Sequence, residues 1–171
     1  MGIAPKSHLQ RISRTSHPIH SRQGCELMDR NERTVDFPPN VMRELRELIS
    51  PFLLRAYPEP APLYQKLSAW LGVPREQLLL TWGADGALKA IHEAYAESGD
   101  EVVSARPSYA MYPVYAAMVG AVAREVSFRA DLSLPLDDLL RAITAKTKLV
   151  VLANPNQPIE RVYEEQEVRA L

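Results

Sequence analysis

From Leu78 onward the chain alternates short apolar runs with stretches of helical spacing, and no other feature limits its fold so strongly. The runs are Leu78 to Trp82, Glu101 to Ala105, Val122 to Phe128 and Lys148 to Ala153, rich in the Val, Leu and Phe that favour strands. Between them, Leu88, Ile91 and Tyr95 fall at helical spacing before Ser98-Gly99-Asp100, a second helical stretch runs to Gly120, and a third carries Leu136, Leu139, Leu140 and Ile143. The order reads βαβαβαβ. Parallel strands joined by right-handed crossovers follow, so the expected class is α/β, a parallel sheet with flanking helices. At 171 residues the chain can build one well-developed core around such a sheet.

Two helices are expected before the first strand. After Pro38 and Pro39, Asn40 is a plausible N-cap for a helix whose stripe is Val41, Leu45, Leu48 and Ile49, with Pro51 closing it. Pro62 suits the first turn of a second helix burying Leu63, Leu67, Trp70 and Leu71, and Gly72 its C-terminal stop. The first 25 residues carry Lys6, Arg11, Arg14 and Arg22 among serines, with no acid before Glu26. They read as a disordered basic tail, 1–25, followed by an arm with helices, 26–72, and the α/β region, 73–171.

A formal charge of −1 provides no global field for nucleic acid or an anionic membrane, so any anion site must be local. The single Cys25 cannot form an internal disulfide, and no His and Cys cluster at metal-ligand spacing occurs. No apolar run approaches the roughly 18 residues that span a bilayer. A cytoplasmic, reducing setting is expected, with no metal, nucleic acid or membrane partner.

In open parallel sheets ligands bind beyond the carboxyl ends of the strands. Gly83-Ala84-Asp85-Gly86 follows the first run and leads into a helix, where unpaired N–H groups and the positive dipole end suit a phosphate. The same residues also fit a plain turn in which Asp85 caps its own helix. No GxGxxG or GxxxxGK[ST] pattern is present, which argues against dinucleotide and P-loop sites. After the second run, Arg106-Pro107-Ser108-Tyr109 puts an aromatic ring where it could stack on a flat heterocycle, while Met111, Tyr112 and Tyr115 read as core. Pro113 requires a helix to begin close by. After the fourth run, Asn154-Pro155-Asn156-Gln157-Pro158 offers side-chain amides, although alone it is also an ordinary Asn- and Pro-rich turn. A phosphate cradle, a stacking ring and an amide together describe a site for pyridoxal phosphate.

The stretches Tyr57-Pro58-Glu59-Pro60, Gly83-Ala84-Asp85, Pro107-Ser108-Tyr109-Ala110-Met111-Tyr112 and Ala153-Asn154-Pro155-Asn156-Gln157-Pro158 are similar, in order and approximate spacing, to those of the histidinol-phosphate aminotransferase-like proteins of fold type I. The resemblance covers residues 26–171 and implies part of the large domain of a pyridoxal-phosphate-dependent transferase. It implies that the backbone at Ala84 and Asp85 holds the cofactor phosphate, that Tyr109 stacks on the pyridine ring and that Gln157 bonds its 3′ oxygen. It further implies that Tyr57 reaches the phosphate in the neighbouring subunit of a homodimer, and that the substrates are an amino acid or amino phosphate and a 2-oxo acid.

Two departures accompany it. Where the family typically continues Pro-Thr-Gly, this chain has Pro158-Ile159-Glu160 and lacks the glycine of a tight turn. The sequence also ends at Leu171, before the family's pyridine-pairing aspartate, cofactor-bearing lysine and carboxylate-binding arginine. None of Lys6, Lys66, Lys89, Lys146 and Lys148 matches that lysine. The expectation is therefore a truncated or split aminotransferase with no catalytic residue of its own, inactive alone. The alternatives are a non-catalytic module that binds the cofactor or another subunit, and an unrelated Rossmann-like nucleotide domain.

Overall fold

The computed structural model describes residues 4–12, 23–25 and 32–171. Most of the expected basic tail, residues 1–3 and 13–22, and the start of the arm at 26–31 lie outside the described residues. The chain divides into two compact units, one containing residues 80–171 with those before 16, the other reaching to Leu79.

The smaller unit is helical. Helix α1 spans Pro39–Leu48 with Pro38, not Asn40, at its N-cap, and proline at the first helical position costs no hydrogen bond. Pro51 does more than end it: it opens a short helix α2, Pro51–Arg55, whose N-cap Ser50 accepts from the Leu53 N–H at 3.1 Å. Helix α3, Ala61–Leu71, carries Pro62 in its first turn and stops at Gly72, whose φ of 68° is the left-handed conformation glycine tolerates. The stripes expected to be buried are largely open, with Leu45, Leu48, Ile49, Leu63, Trp70 and Leu71 all exposed.

The larger unit holds the sheet, with one correction. Leu78 to Trp82 forms no strand: Leu78 closes a 3-10 turn at Arg75–Gln77, and the residues from there to Trp82 lie outside the sheet ladder. A strand exists through its ladder, and this run meets no neighbouring strand in the described residues. Trp82 is consequently 96% exposed. Helix α4, Gly83–Tyr95, then leads to β1, Glu101–Arg106; helix α5, Tyr112–Val119, leads to β2, Val122–Ser127; helix α6, Leu136–Ala142, leads to β3, Thr147–Val151; and α7, Glu165–Ala170, ends the chain. The strands are parallel in the order β2-β1-β3, with Val103 opposite Arg124 on one side and Val150 on the other.

Alternation along β1 divides the core in two. Val103 and Ala105 pack with Phe128, Leu134, Leu139 and Tyr163 on the face covered by α6. Val102 packs with Ala96, Ala116 and Ala121 on the face covered by α5, with α4 beside it. Burial on both faces explains why every β1 residue from Glu101 to Ala105 is buried, and full burial of each valine stabilises the sheet by about 1.5–3 kcal/mol. In α4 the buried position is His92, whereas Ile91 and Tyr95, which marked the helical spacing in the sequence, are exposed. Pro113 sits in the first turn of α5, and Tyr112 and Tyr115 are buried as expected. A 3-10 turn at Ser7–Arg11 rests against α5. Among the described residues no helix is long and apolar enough to cross a membrane.

Candidate functional site

The chain enters α4 through Gly83, whose φ of 71° requires glycine and turns the backbone into the helix. Thr81 braces this entry: its carbonyl accepts from the Gly83 N–H at 2.9 Å and its hydroxyl donates to the Gly83 carbonyl at 2.8 Å. Gly86 is packed closely, since a Cβ there would lie 3.2 Å from the Thr81 Cβ. Helix geometry gives the amides of Ala84 and Asp85, in the first turn, no acceptor within α4. The N-cap position is Trp82, without a side-chain cap bond, and Asp85 sits inside the first turn. Ala84 is exposed and Asp85 half-buried, so the turn is open to a ligand.

The Asp85 carboxylate is engaged by the second loop. Tyr109 Oη donates to Asp85 Oδ1 at 2.7 Å, across 24 positions of sequence. The Tyr109 ring, 36% exposed, also meets the buried Tyr112 ring edge-on, with centroids 5.7 Å apart and planes at 77°. Burial raises the Tyr112 hydroxyl above the ordinary tyrosine range and keeps it protonated.

The third loop is tied to the second through Asn156, which is only 1% exposed. Ser108 Oγ donates to Asn156 Oδ1 at 2.6 Å, Asn156 Nδ2 donates to the Pro107 carbonyl at 3.0 Å, and the Asn156 N–H donates to the Arg161 carbonyl at 2.7 Å. Asn154 Oδ1 accepts from the Tyr163 N–H at 3.1 Å, and Arg161 forks onto both Glu167 carboxylate oxygens at 3.0 and 3.2 Å. The bonds preceding Pro107, Pro155 and Pro158 are cis. Gln157, adjacent to the latched Asn156, is exposed. Glu160 takes a φ of 50°, so the backbone keeps a left-handed turn where glycine was missed in the sequence.

Of the residues singled out from sequence, Asp85 and Tyr109 are in direct contact, Ala84 adjoins Asp85 in the same turn, and Gln157 follows the residue that binds the Tyr109 loop. Tyr57 belongs to the other unit and is 96% exposed. Sequence reasoning gave Gln157 a cofactor role through the resemblance and missed the latching role of Asn156. The available signal was the amide pair between two prolines, one member of which must satisfy the loop's own polar groups.

The opposite end of the sheet is closed by a different cluster. Glu101, at the start of β1, accepts from Arg124 Nε and Nη2 at 3.1 and 2.7 Å and from Thr144 Oγ1 at 2.7 Å. These partners, Thr144 first and Arg124 next, hold its carboxyl below the ordinary glutamate range. Lys146 and Lys148 flank the first residue of β3 at that same end, while Lys89 on α4 is paired with Glu93 at 2.7 Å. Within residues 80–171, no lysine stands at the carboxyl edge of the strands.

A strand exit and a helix start meet at the carboxyl edge of a parallel sheet, where open α/β domains bind ligands, with a tyrosine ring beside the helix start. The family model for aminotransferase class I and II matches residues 26–171, and the chain belongs to that family. It is 31% identical over 156 residues to a histidinol-phosphate aminotransferase of Thermoanaerobacter sp. (strain X514), covering 90% of this chain and 44% of the relative. With the histidinol-phosphate aminotransferase of Moorella thermoacetica it shares 36% identity over 133 residues, covering 75% and 33%. Among solved structures, the histidinol-phosphate aminotransferase of Sinorhizobium meliloti in complex with pyridoxal-5′-phosphate aligns with a TM-score of 0.68 at 26% identity, over 78% of this chain and 38% of that one. N-Succinyldiaminopimelate aminotransferase from Mycobacterium tuberculosis aligns with a TM-score of 0.70 at 30% identity, over 80% and 38%. The chain thus spans less than half the length of these relatives.

Proposed function

We propose that this chain is the cofactor-phosphate-holding part of a pyridoxal-phosphate-dependent aminotransferase similar to the histidinol-phosphate enzymes, acting on an amino acid or amino phosphate and a 2-oxo acid. The observation that carries the reading is the joining of the three loops, Asp85 to Tyr109 and Ser108 to Asn156, at one edge of a parallel sheet. The residues fit the cofactor. The first-turn amides of Ala84 and Asp85 would donate to its phosphate, with the positive end of the α4 dipole adding to the attraction. Gly83 leaves open space on its side, with nothing within 4 Å of a Cβ built there. The Tyr109 ring would cover one face of the pyridine, and the Gln157 amide would donate to the ring oxygen. Bound pyridoxal phosphate supplies an electron sink for chemistry at the carbon bearing a substrate amino group.

Tyr57 is so exposed that its hydroxyl is available to a second copy, which supports a homodimer in which it reaches the partner's phosphate site. The lysines of residues 80–171 lie on the α4 flank or at the amino end of β3, and this supports a chain that binds the cofactor without transferring amino groups alone. An absorbance titration with pyridoxal phosphate, then borohydride reduction and intact mass, tests both parts. Saturable binding with no covalent adduct is expected. Absence of binding sinks the cofactor reading, and reduction onto a single lysine sinks the claim of inactivity.

A further inference from the structure

We propose that Asp85 is a positioning residue for the stacking ring: its side chain, not its backbone, sets the plane of Tyr109. The inference rests on the cofactor reading above and assigns the Asp85 carboxylate a task separate from the Asp85 amide. Tyr109 lies in the irregular stretch between β1 and α5, where no regular element sets its side chain. Two contacts act on the ring from outside that stretch. The hydroxyl at one end is anchored to Asp85 Oδ1 at 2.7 Å, on the rigid first turn of α4, and the ring edge meets Tyr112 at 5.7 Å between centroids. Tyr112 is itself buried in α5, so the ring is fixed between two helices. The partially exposed remainder of the ring is then presented to a ligand in one orientation, before any ligand arrives.

The same bond diverts a negative charge. A carboxylate in the first turn of a helix is favoured by the dipole and competes for the amides there, yet the Asp85 carboxylate is turned onto the phenol. One hydrogen bond therefore orients the ring and keeps the carboxylate directed at Tyr109.

The inference predicts strong coupling between the two side chains. Asp85→Ala and Tyr109→Phe should each weaken pyridoxal phosphate binding about fivefold, the effect of losing one orienting hydrogen bond, and the double variant should be no weaker than either. Asp85→Asn, which keeps an Oδ1 acceptor, should restore most of the affinity. Near-ultraviolet circular dichroism of the ligand-free chain reads the ring directly: the tyrosine band should diminish in Asp85→Ala and persist in Asp85→Asn. If the unsubstituted chain binds no pyridoxal phosphate, the cofactor reading fails while the dichroism still decides whether Asp85 holds the ring. An unchanged tyrosine band in Asp85→Ala, or fully additive losses in the double variant, overturns the positioning role.

Discussion

Ser108 Oγ donates to Asn156 Oδ1 at 2.6 Å, joining the exits of β1 and β3 across 48 positions of sequence. The Asn156 amide simultaneously holds the Pro107 carbonyl, and its backbone N–H closes the turn onto Arg161. One buried side chain thus fixes the relative position of the two loops that carry Tyr109 and Gln157. Asn156→Ala leaves the Ser108 hydroxyl and the Pro107 carbonyl without these partners and is expected to cost about 2–3 kcal/mol. Ser108→Ala removes only one bond and should cost about 1 kcal/mol. Urea unfolding of the two variants checks the order; stabilities equal to that of the unsubstituted protein would show that the latch carries no energy.

A second prediction concerns pH at the opposite end of the sheet. The Thr144 and Arg124 hydrogen bonds depress the folded-state value of Glu101 below its unfolded value. The unfolded chain therefore binds the proton first as pH falls, and stability declines with acidification. The contribution is fully present above the ordinary glutamate range and disappears as pH drops through the depressed folded value. Glu101→Gln should flatten this part of the stability profile while leaving the Thr144 contact. Thermal melts from pH 7 downward measure it, and parallel profiles for the two proteins would remove Glu101 as a contributor.

How much of this was legible in the sequence follows from the range of each interaction. The runs at Glu101, Val122 and Lys148 became strands of one ladder, the first buried on both faces and the other two alternating exposed and half-buried residues. Leu78 to Trp82 has the same composition and formed no strand, because composition records a preference for the ladder and not the presence of a partner. Pro62 and Gly72 marked the ends of α3 through local backbone limits. Pro51 was read as a stop, but it opens α2, because the Ser50 side chain caps a new helix there, a bond that the proline alone does not announce. In the candidate site, the backbone features at Gly83 and the ring at Tyr109 were readable locally. The Asp85 to Tyr109 bond, the Asn156 latch and the Glu101 cluster were not, since each joins segments at least 23 positions apart.

His92 offers a test of burial without satisfaction. Its Nδ1 lies 2.7 Å from the Leu88 carbonyl, but Nε2 is buried with no hydrogen-bond partner, and the residue is 1% exposed. The Leu88 carbonyl is reached by the His92 backbone N–H in the helix ladder, so it is not orphaned when the ring is removed. His92→Leu exchanges an unpaired buried nitrogen for apolar contact with the Tyr115 ring, now 5.7 Å from the imidazole. A gain of about 1 kcal/mol is expected in urea unfolding. A loss of similar size would mean that Nε2 has a partner in solution.

Glu160 tests whether the loop after β3 carries backbone strain. Its φ of 50° lies where a side chain costs about 1–2 kcal/mol and glycine costs little in the folded state. The Asn156 N–H bonded to the Arg161 carbonyl at 2.7 Å makes the chain double back between them, with Glu160 inside the turn. Replacing Glu160 with glycine removes the strain but adds about 0.5–1 kcal/mol of unfolded-chain entropy. The net expectation for Glu160→Gly is a stabilisation of about 0.5–1 kcal/mol. Glu160→Val, with a branched Cβ that the left-handed region tolerates least, should lose stability instead. Chemical denaturation of the three proteins ranks them glycine, glutamate, valine. A reversed order would mean that the turn relaxes out of the left-handed region in solution, and with it the arrangement that sets Asn156 and Gln157 at the edge of the sheet.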